Sequence, residues 1–394
     1  MAAIAPSLHR RAFLRRSGAL LALLAAGAGC TRRPTGSPWP AGTAPDANGL
    51  LLPPGVSSRV VARSGERPVA GSAYVWHGAP DGGACFPTGD GGWVYVSNSE
   101  LAGGQGGAGA LRFDGQGNLV AAYGILSGTE RNCAGGPTPW GTWLSCEEVA
   151  AGRVWECDPL GVAAAAVRPA LGVFAHEAVA VDPVGRRLYL TEDVPDGRLY
   201  RFTPADWPDL SAGTLEAARV VSGQTGAAPS GASVAVAWEP IPDPAATTTP
   251  TREQAPTSSA FDGGEGIWYH GGTVVFTTKG DDRVWRYDPA AGTLGVLYDA
   301  ATAPDPLLTG VDNVTVAADG TVLVAEDGGD LQVVALAADG TPRPVAQVTG
   351  HPFSEITGIA FDPSGTRLYF SSQRGATGLS SGGVTYEIRG PLLG

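Results

Sequence analysis

One short pattern returns six times along this chain, and its return limits the fold more than any other feature. A turn with Gly or Arg leads into a few apolar β-formers, and small polar or acidic residues follow. The copies are GGWVYVSNSE, GTWLSCEE, RRLYLTED, GGTVVFTTKGDD, GTVLVAEDG and TRLYFSSQRG. Anchored on Ser97, Ser145, Thr191, Thr277, Ala325 and Ser371, they stand 48, 46, 86, 48 and 46 residues apart. A strand precedes each anchor and a second hairpin follows most of them. Four short strands recurring at a fixed period of this length are the mark of a propeller blade.

The expectation is therefore an all-β, six-bladed β-propeller. The long interval contains a Pro/Thr/Ser-rich stretch, 240–259, and a strand-like run, Val234 to Trp238, the one place for a seventh blade. The sixth unit reaches a third strand at Val384 to Ile388 but shows no fourth. Ser58-Arg-Val-Val-Ala resembles Ala218-Arg-Val-Val-Ser and is expected to supply it, so that an early and a late strand close the ring. With 58 Gly and 32 Pro in 394 residues, long helices are excluded, while 43% hydrophobic residues support a large core. The net charge of −12 leaves no basic stripe for phosphates of nucleic acid, which we exclude as a partner.

Residues 1–30 read as a targeting segment. Arg10 and Arg11, with Phe13 and Leu14 behind them, precede a short apolar run, Leu20 to Ala28, as in a Tat-type export signal. Gly27-Ala28-Gly29-Cys30 resembles a lipoprotein cleavage site, with Cys30 as the lipidated, membrane-attaching residue. The expected location is the periplasm or cell surface. Residues 31–54, rich in Pro, Gly, Thr and Ala, read as a flexible linker, and 55–394 as the propeller.

Two kinds of acid must be separated. Asp114, Asp158, Asp182, Asp288, Asp319, Asp339 and Asp362 sit in turns between paired strands, where Asp caps its own turn. The informative set opens the first strand or closes the second strand of each unit, and these positions share one end of the central channel. Openers are Cys85, Cys133, His176-Glu177, Glu265, Asp312 and Thr357. Closers are Asn98 to Glu100, Glu147-Glu148, Glu192-Asp193, Lys279 to Asp282, Glu326-Asp327 and Gln373-Arg374. Carboxylates at that density repel unless cations lie among them. Oxygen ligands favour calcium or magnesium, and a thiolate at Cys133 favours iron or zinc. Alternation favours Glu177 inward with His176 packed behind it. Cys85 reads as a small core residue, His77 as a packing residue, and GLSSG at 378–382 as loop. Cys146 and Cys157 flank one connection, near enough to approach each other.

At this point the residues resemble a known family. NCAGGPTPWGTWLSCEE, FAHEAV, LYLTED, GGEGIWY, FTTKGDDRVWRYDP, VDNVTV, LVAEDG and TGIAFDPSGTRLYF, in that order, are similar to the PhoX family of bacterial alkaline phosphatases. The resemblance implies a Tat-exported monomeric propeller that hydrolyses phosphate monoesters of small molecules at a mixed iron–calcium (Fe3+ and Ca2+) cluster. It implies Cys133 as an iron ligand, and Glu147 or Glu148, Glu177, Glu265, Asp312 and Glu326 as carboxylate ligands. Glu100 joins the metal set from its place at the mouth, and Lys279 and Arg374 are the candidate catalytic cations. Where larger members carry Asn-His-Glu, this chain has Asn98-Ser99-Glu100. The competing readings are a calcium-dependent lactonase-type propeller and a non-enzymatic ligand-binding lipoprotein.

Overall fold

The computed structural model describes residues 38–221, 233–304 and 306–393. The twin-arginine segment and Cys30 lie outside the described residues. Two short strands come first, β1 (Leu50–Leu51) and β2 (Ser57–Arg63). An antiparallel meander follows: β3 (Pro80–Pro87), β4 (Trp93–Ser99), β5 (Gly106–Phe113) and β6 (Leu119–Thr129). The second meander is β7 (Asn132–Pro137), β8 (Trp143–Glu147), β9 (Val154–Cys157) and β10 (Ala166–Val167). The third is β11 (His176–Asp182), β12 (Arg187–Glu192), β13 (Leu199–Asp206) and β14 (Asp209–Val220). Then come β15 (Ser233–Pro240) and a fourth meander, β16 (Gly264–His270), β17 (Thr273–Thr278), β18 (Arg283–Asp288) and β19 (Thr293–Asp299). The fifth is β20 (Val311–Val316), β21 (Val322–Glu326), β22 (Gln332–Leu336) and β23 (Pro342–Val348). Last are β24 (Ile356–Phe361), β25 (Arg367–Ser372) and β26 (Val384–Arg389).

The arrangement is all-β and propeller-like. The first strands of the meanders, β3, β7, β11, β16, β20 and β24, touch in succession, and β24 touches β3 again. Strand β2 pairs antiparallel with β26, from Ser57 opposite Arg389 to Arg63 opposite Val384, and supplies the fourth strand of the last sheet. Second strands such as Trp93–Ser99 are buried along their whole length, because each lies between two neighbouring sheets. Aromatic rings fill those interfaces: Trp93 stacks on Phe113 at 5.4 Å and Tyr95 on Tyr369 at 5.0 Å. All seven turn acids accept amide hydrogens of their own loops, as Asp114 does from Gln116 and Asn118 and Asp362 from Thr366 and Arg367.

The seventh-blade alternative and the linker expectation are both revised. The strand-like run at 234–238 does not begin another sheet. Strand β15 pairs with β14 on one side and with β19 on the other, joining two meanders into one nine-stranded sheet among the described residues. Its half-buried pattern suits an edge that two outer strands share. The linker expected at 31–54 holds structure from residue 38 onward. Leu50, fully buried, pairs with Val348 as β1 extends the fifth sheet, and Trp39 Nε1 donates to Gln347 Oε1 at 2.7 Å. Burying Leu50 stabilises this attachment by about 1.5–3 kcal/mol, which a Pro- and Gly-rich composition does not reveal.

Candidate metal centre

The register slips by one residue near the start of each first strand. Between Asn132 and Gly135 the slip sets Cys133 and Ala134 opposite the single residue Cys146. Matching slips fall at Asp81-Gly82, Glu177-Ala178, Glu265-Gly266 and Asp312-Asn313. A β-bulge bends its strand and re-aims one side chain. In five meanders the residue so placed is Asp81, Cys133, Glu177, Glu265 or Asp312. The sixth slips at Gly358-Ile359, just after Thr357, which pairs with Ser371 and donates from Oγ1 to the Pro80 carbonyl at 2.7 Å; its acid, Glu355, comes two residues before Thr357.

Three of the bulges are clamped from the preceding meander. Asn98 Nδ2 donates to the carbonyls of Cys133 at 3.1 Å and Ala134 at 2.7 Å, while its Oδ1 accepts from Trp143 Nε1 and Ser145 Oγ. Thr191 Oγ1 donates to Glu265 O at 2.5 Å and Thr277 Oγ1 to Asp312 O at 2.6 Å. The small polar residues closing the second strands thus hold the next ligand in place. Below the ring a narrow cavity is lined by the small partners in the bulges, Gly82, Ala134, Ala178, Gly266 and Asn313.

Alternation along the second strands sorts the closing residues. Glu147, Glu192 and Glu326 end β8, β12 and β21, each opposite the start of its first strand. Their carboxylates turn into the sheet and cap the next connection. Glu147 accepts from the amides of Glu130 and Arg153, Glu192 from Arg198, and Glu326 from Thr309 and Gln332. The next residue in each case, with its counterparts in the other meanders, belongs to the mouth: Glu100, Glu148, Asp193, Lys279, Asp327 and Gln373. Of the candidate ligands, the structure therefore brings together Cys133, Glu100, Glu148, Glu177, Glu265 and Asp312. It does not bring Glu147 or Glu326 to them, because each already satisfies two backbone amides on the other side.

Three groups have ligand atoms within 4.8 Å of one another: Cys133–Glu148–Glu177, Asp81–Glu100–Glu355 and Glu177–Glu265–Asp312. Glu177, common to two of them, is fully buried, and neither carboxylate oxygen has a hydrogen-bond partner. Leaving such a group unpaired costs several kcal/mol if it is ionised. Burial, then Glu265, Glu148, Asp312 and Asp81, push its pKa well above the carboxylate range. Burial and neighbouring acids likewise raise Asp81, Asp312 and Glu355, with Glu148 reaching about 9 and Glu265 about 8. The Cys133 thiol is raised by burial and by Asp81, Glu177, Glu148 and Glu100. A thiol and carboxylates held this close fit a cation-binding role, since positive charge among them is what lets them ionise together.

Protein cations cover part of the deficit. Lys279 Nζ lies 2.5 Å from Glu265 Oε1, 3.3 Å from Asp193 Oδ2 and 4.0 Å from Asp327 Oδ2. Burial alone lowers its pKa, but Glu265, Asp193 and Asp312 raise it overall. Arg374 pairs with Glu355 Oε1 at 2.9 Å, and its amide donates to Ser354 Oγ. Gln373 Nε2 bridges Asp81 Oδ2 at 2.5 Å and Glu100 Oε2 at 2.9 Å.

His176 packs on Phe174, centroids 3.6 Å apart, and burial lowers its pKa to about 3. His77 lies between Tyr74 and Ser97, also lowered by burial to about 3. The four described cysteines are free thiols, and Cys146 and Cys157 pack in different core clusters, so no bridge joins them. Cys85 packs against the core and pairs with Tyr95 in register, four residues past the true mouth position.

Sequence reasoning missed Asp81 and Glu355. The arms of the β3–β4 hairpin are longer than those of β7–β8: both turns join residues paired as Pro87–Trp93 and Pro137–Trp143, but Ser97 pairs with Gly83 and Ser145 with Gly135. A fixed offset of twelve from the anchor therefore falls on Cys85, while the bulge lies at Asp81. The Asp-Gly pair that opens the strand is the signal that points to Asp81. Glu355 lies one residue outside its strand, and no periodic signal points to it.

The family described as alkaline phosphatase PhoX matches residues 93–375, more than half of the chain. No curated protein sequence matches. Among solved structures, Pseudomonas fluorescens PhoX in complex with vanadate, a transition state analogue, superposes with a TM-score of 0.72 at 17% identity, covering 88% of this chain and 97% of that one. A Bacteroides thetaiotaomicron protein of unknown function gives a TM-score of 0.52 at 10% identity, covering 85% of this chain and 76% of that one.

Proposed function

The chain belongs to the PhoX alkaline phosphatase family and is a phosphoric-ester hydrolase, and from that premise we propose that it hydrolyses phosphate monoesters at a mixed iron–calcium cluster in the mouth of a six-bladed propeller. The observation that carries the reading is the convergence of acids from successive meanders around Glu177, whose two carboxylate oxygens are buried and unpartnered. Cys133, Glu148 and Glu177 would hold iron, since thiolate joined to carboxylate suits a softer metal than oxygen alone. Glu177, Glu265 and Asp312, and separately Asp81, Glu100 and Glu355, would hold calcium through hard oxygen donors. Bound there, the cations supply positive charge against the phosphoryl oxygens and the charge that develops on them during transfer.

The chain's own residues do the positioning. Asn98, Thr191 and Thr277 lock the bulges that aim the ligands. Gln373 keeps Asp81 and Glu100 at a fixed separation. Glu355 holds the planar guanidinium of Arg374 at the mouth, where its remaining N–H groups suit two phosphate oxygens at once. Lys279 adds positive charge from two meanders away, and both cations neighbour Asp327, so an anionic ester meets two cations within an acidic ring. The twin-arginine segment and Cys30 support export by the Tat pathway to the periplasm or cell surface, with a lipid anchor, and we propose a monomer.

Exhaustive chelation is expected to abolish p-nitrophenyl phosphate hydrolysis, with calcium restoring part of it. Full activity in protein shown by elemental analysis to be metal-free would reject the mechanism. On the same analysis Cys133→Ala should lose iron while keeping calcium and a native circular dichroism spectrum.

A further inference from the structure

Five of the six mouth positions at the ends of the second strands carry an acid or an amide, Glu100, Glu148, Asp193, Asp327 and Gln373. The sixth is Lys279, the one lysine of the chain. Its three neighbours come from three successive meanders: Asp193 follows β12, Glu265 lies in the β16 bulge, and Asp327 follows β21. A surface lysine usually answers one acid and contributes little. Here an ammonium with three N–H donors faces three carboxylates from three successive meanders, as a bound ion would. Glu265 belongs to the Glu177–Glu265–Asp312 trio and also contacts Lys279 at 2.5 Å. Lys279 therefore shares a carboxylate with a metal trio while tying it to two acids outside that trio.

We propose that Lys279 is a built-in cation of the cluster, holding the Asp193–Glu265–Asp327 corner of the mouth where a divalent ion would otherwise bind. The inference rests on the metal-dependent reading above. It means that the chain carries one metal ion fewer than its acids would accept. The ammonium brings one charge where calcium brings two, and no chelator removes it. Without it the three acids repel across the corner, and a calcium ion, which takes six to eight oxygens in loose geometry, can enter with water completing its shell.

The test is metal content per chain by elemental analysis after equilibration with excess calcium and desalting. Lys279→Gln should hold about one calcium more than the wild type, Lys279→Arg the wild-type number, and Asp193→Asn no fewer than the wild type. A Lys279→Gln protein with equal or lower calcium overturns the inference. Should that variant fail to fold, Asp193→Asn decides: loss of one metal would mean that the corner already holds an ion, and the inference falls. Chelator-sensitive p-nitrophenyl phosphate hydrolysis is measured on the same wild-type preparation. If it is absent, the parent reading fails; if it is present and Lys279→Gln gains no calcium, the lysine inference alone fails.

Discussion

At the ends of three second strands an acidic pair divides: Glu147 from Glu148, Glu192 from Asp193, Glu326 from Asp327. The first of each pair turns back into the sheet and accepts backbone amides, as Glu326 does from Thr309 at 3.0 Å and Gln332 at 2.9 Å. The second reaches the mouth, where it meets other acids. Both kinds are costly to bury. One is held by backbone amides of the fold, which offset only part of a burial that still raises Glu326 to about 8 and raises Glu192, whereas the other waits on charge from outside. A buried carboxylate is therefore uninformative by its burial; its partners decide whether it serves stability or chemistry.

Glu177→Gln presses hardest on this division. Phosphatase activity should fall at least about 10^2-fold, while the chelated protein becomes more heat-stable, since the buried carboxylate that lacked a partner is gone. An active variant, or one less stable when metal-free, breaks the contrast between the two kinds of acid. Smaller and more diagnostic is a paired comparison. Glu326→Gln should lose about 1–3 kcal/mol of stability by weakening two backbone contacts and keep its turnover per folded molecule. Glu148→Gln should keep its metal-free stability and lose metal. Similar behaviour of the two in both assays would erase the distinction.

The gentlest probe is pH. In the metal-free folded chain burial raises Glu265 to about 8 and Glu148 to about 9, with Asp81, Glu177, Asp312 and Glu355 also raised, and outside the mouth it raises Glu326 to about 8 and raises Glu192. Unfolded, such acids titrate near about 4. Between those limits the folded state binds more protons, so its stability is whole below about pH 4 and falls as pH rises through the folded values. The melting temperature of chelated protein should decline from acid toward pH 9, and calcium, which binds the ionised form, should reduce or reverse the slope. A level profile after chelation would show that the mouth acids are compensated after all.

Most of the architecture was legible because strand periodicity and a repeat of fixed length are properties of the chain itself. The units, the turn acids and the pairing of the run at Ser58 with the last sheet follow from them. The ligands were legible only where hairpin arms had equal length. Cys133, Glu177, Glu265 and Asp312 keep nearly one offset from their anchors, whereas Asp81 is displaced by the longer β3–β4 arms. Glu147 and Glu148 could not be separated without the register, which depends on a bulge that leaves no mark in composition. Strand β15 bridging two outer edges, and Leu50 seated on the fifth sheet, are long-range pairings that local propensity does not encode.

The seam between β2 and β26 joins Arg59 to Glu387, residues separated by 328 positions. During synthesis β2 leaves the ribosome early and stays without its neighbour until nearly the whole chain has been made. The mouth draws Asp81 from the first meander and Gln373 from the last, and their contact at 2.5 Å spans the same junction. Assembly of the acidic mouth is thereby tied to the last part of the polypeptide. A fragment ending before β26 carries every acid of the mouth, but it lacks the β2–β26 seam that fastens the two ends of the ring together.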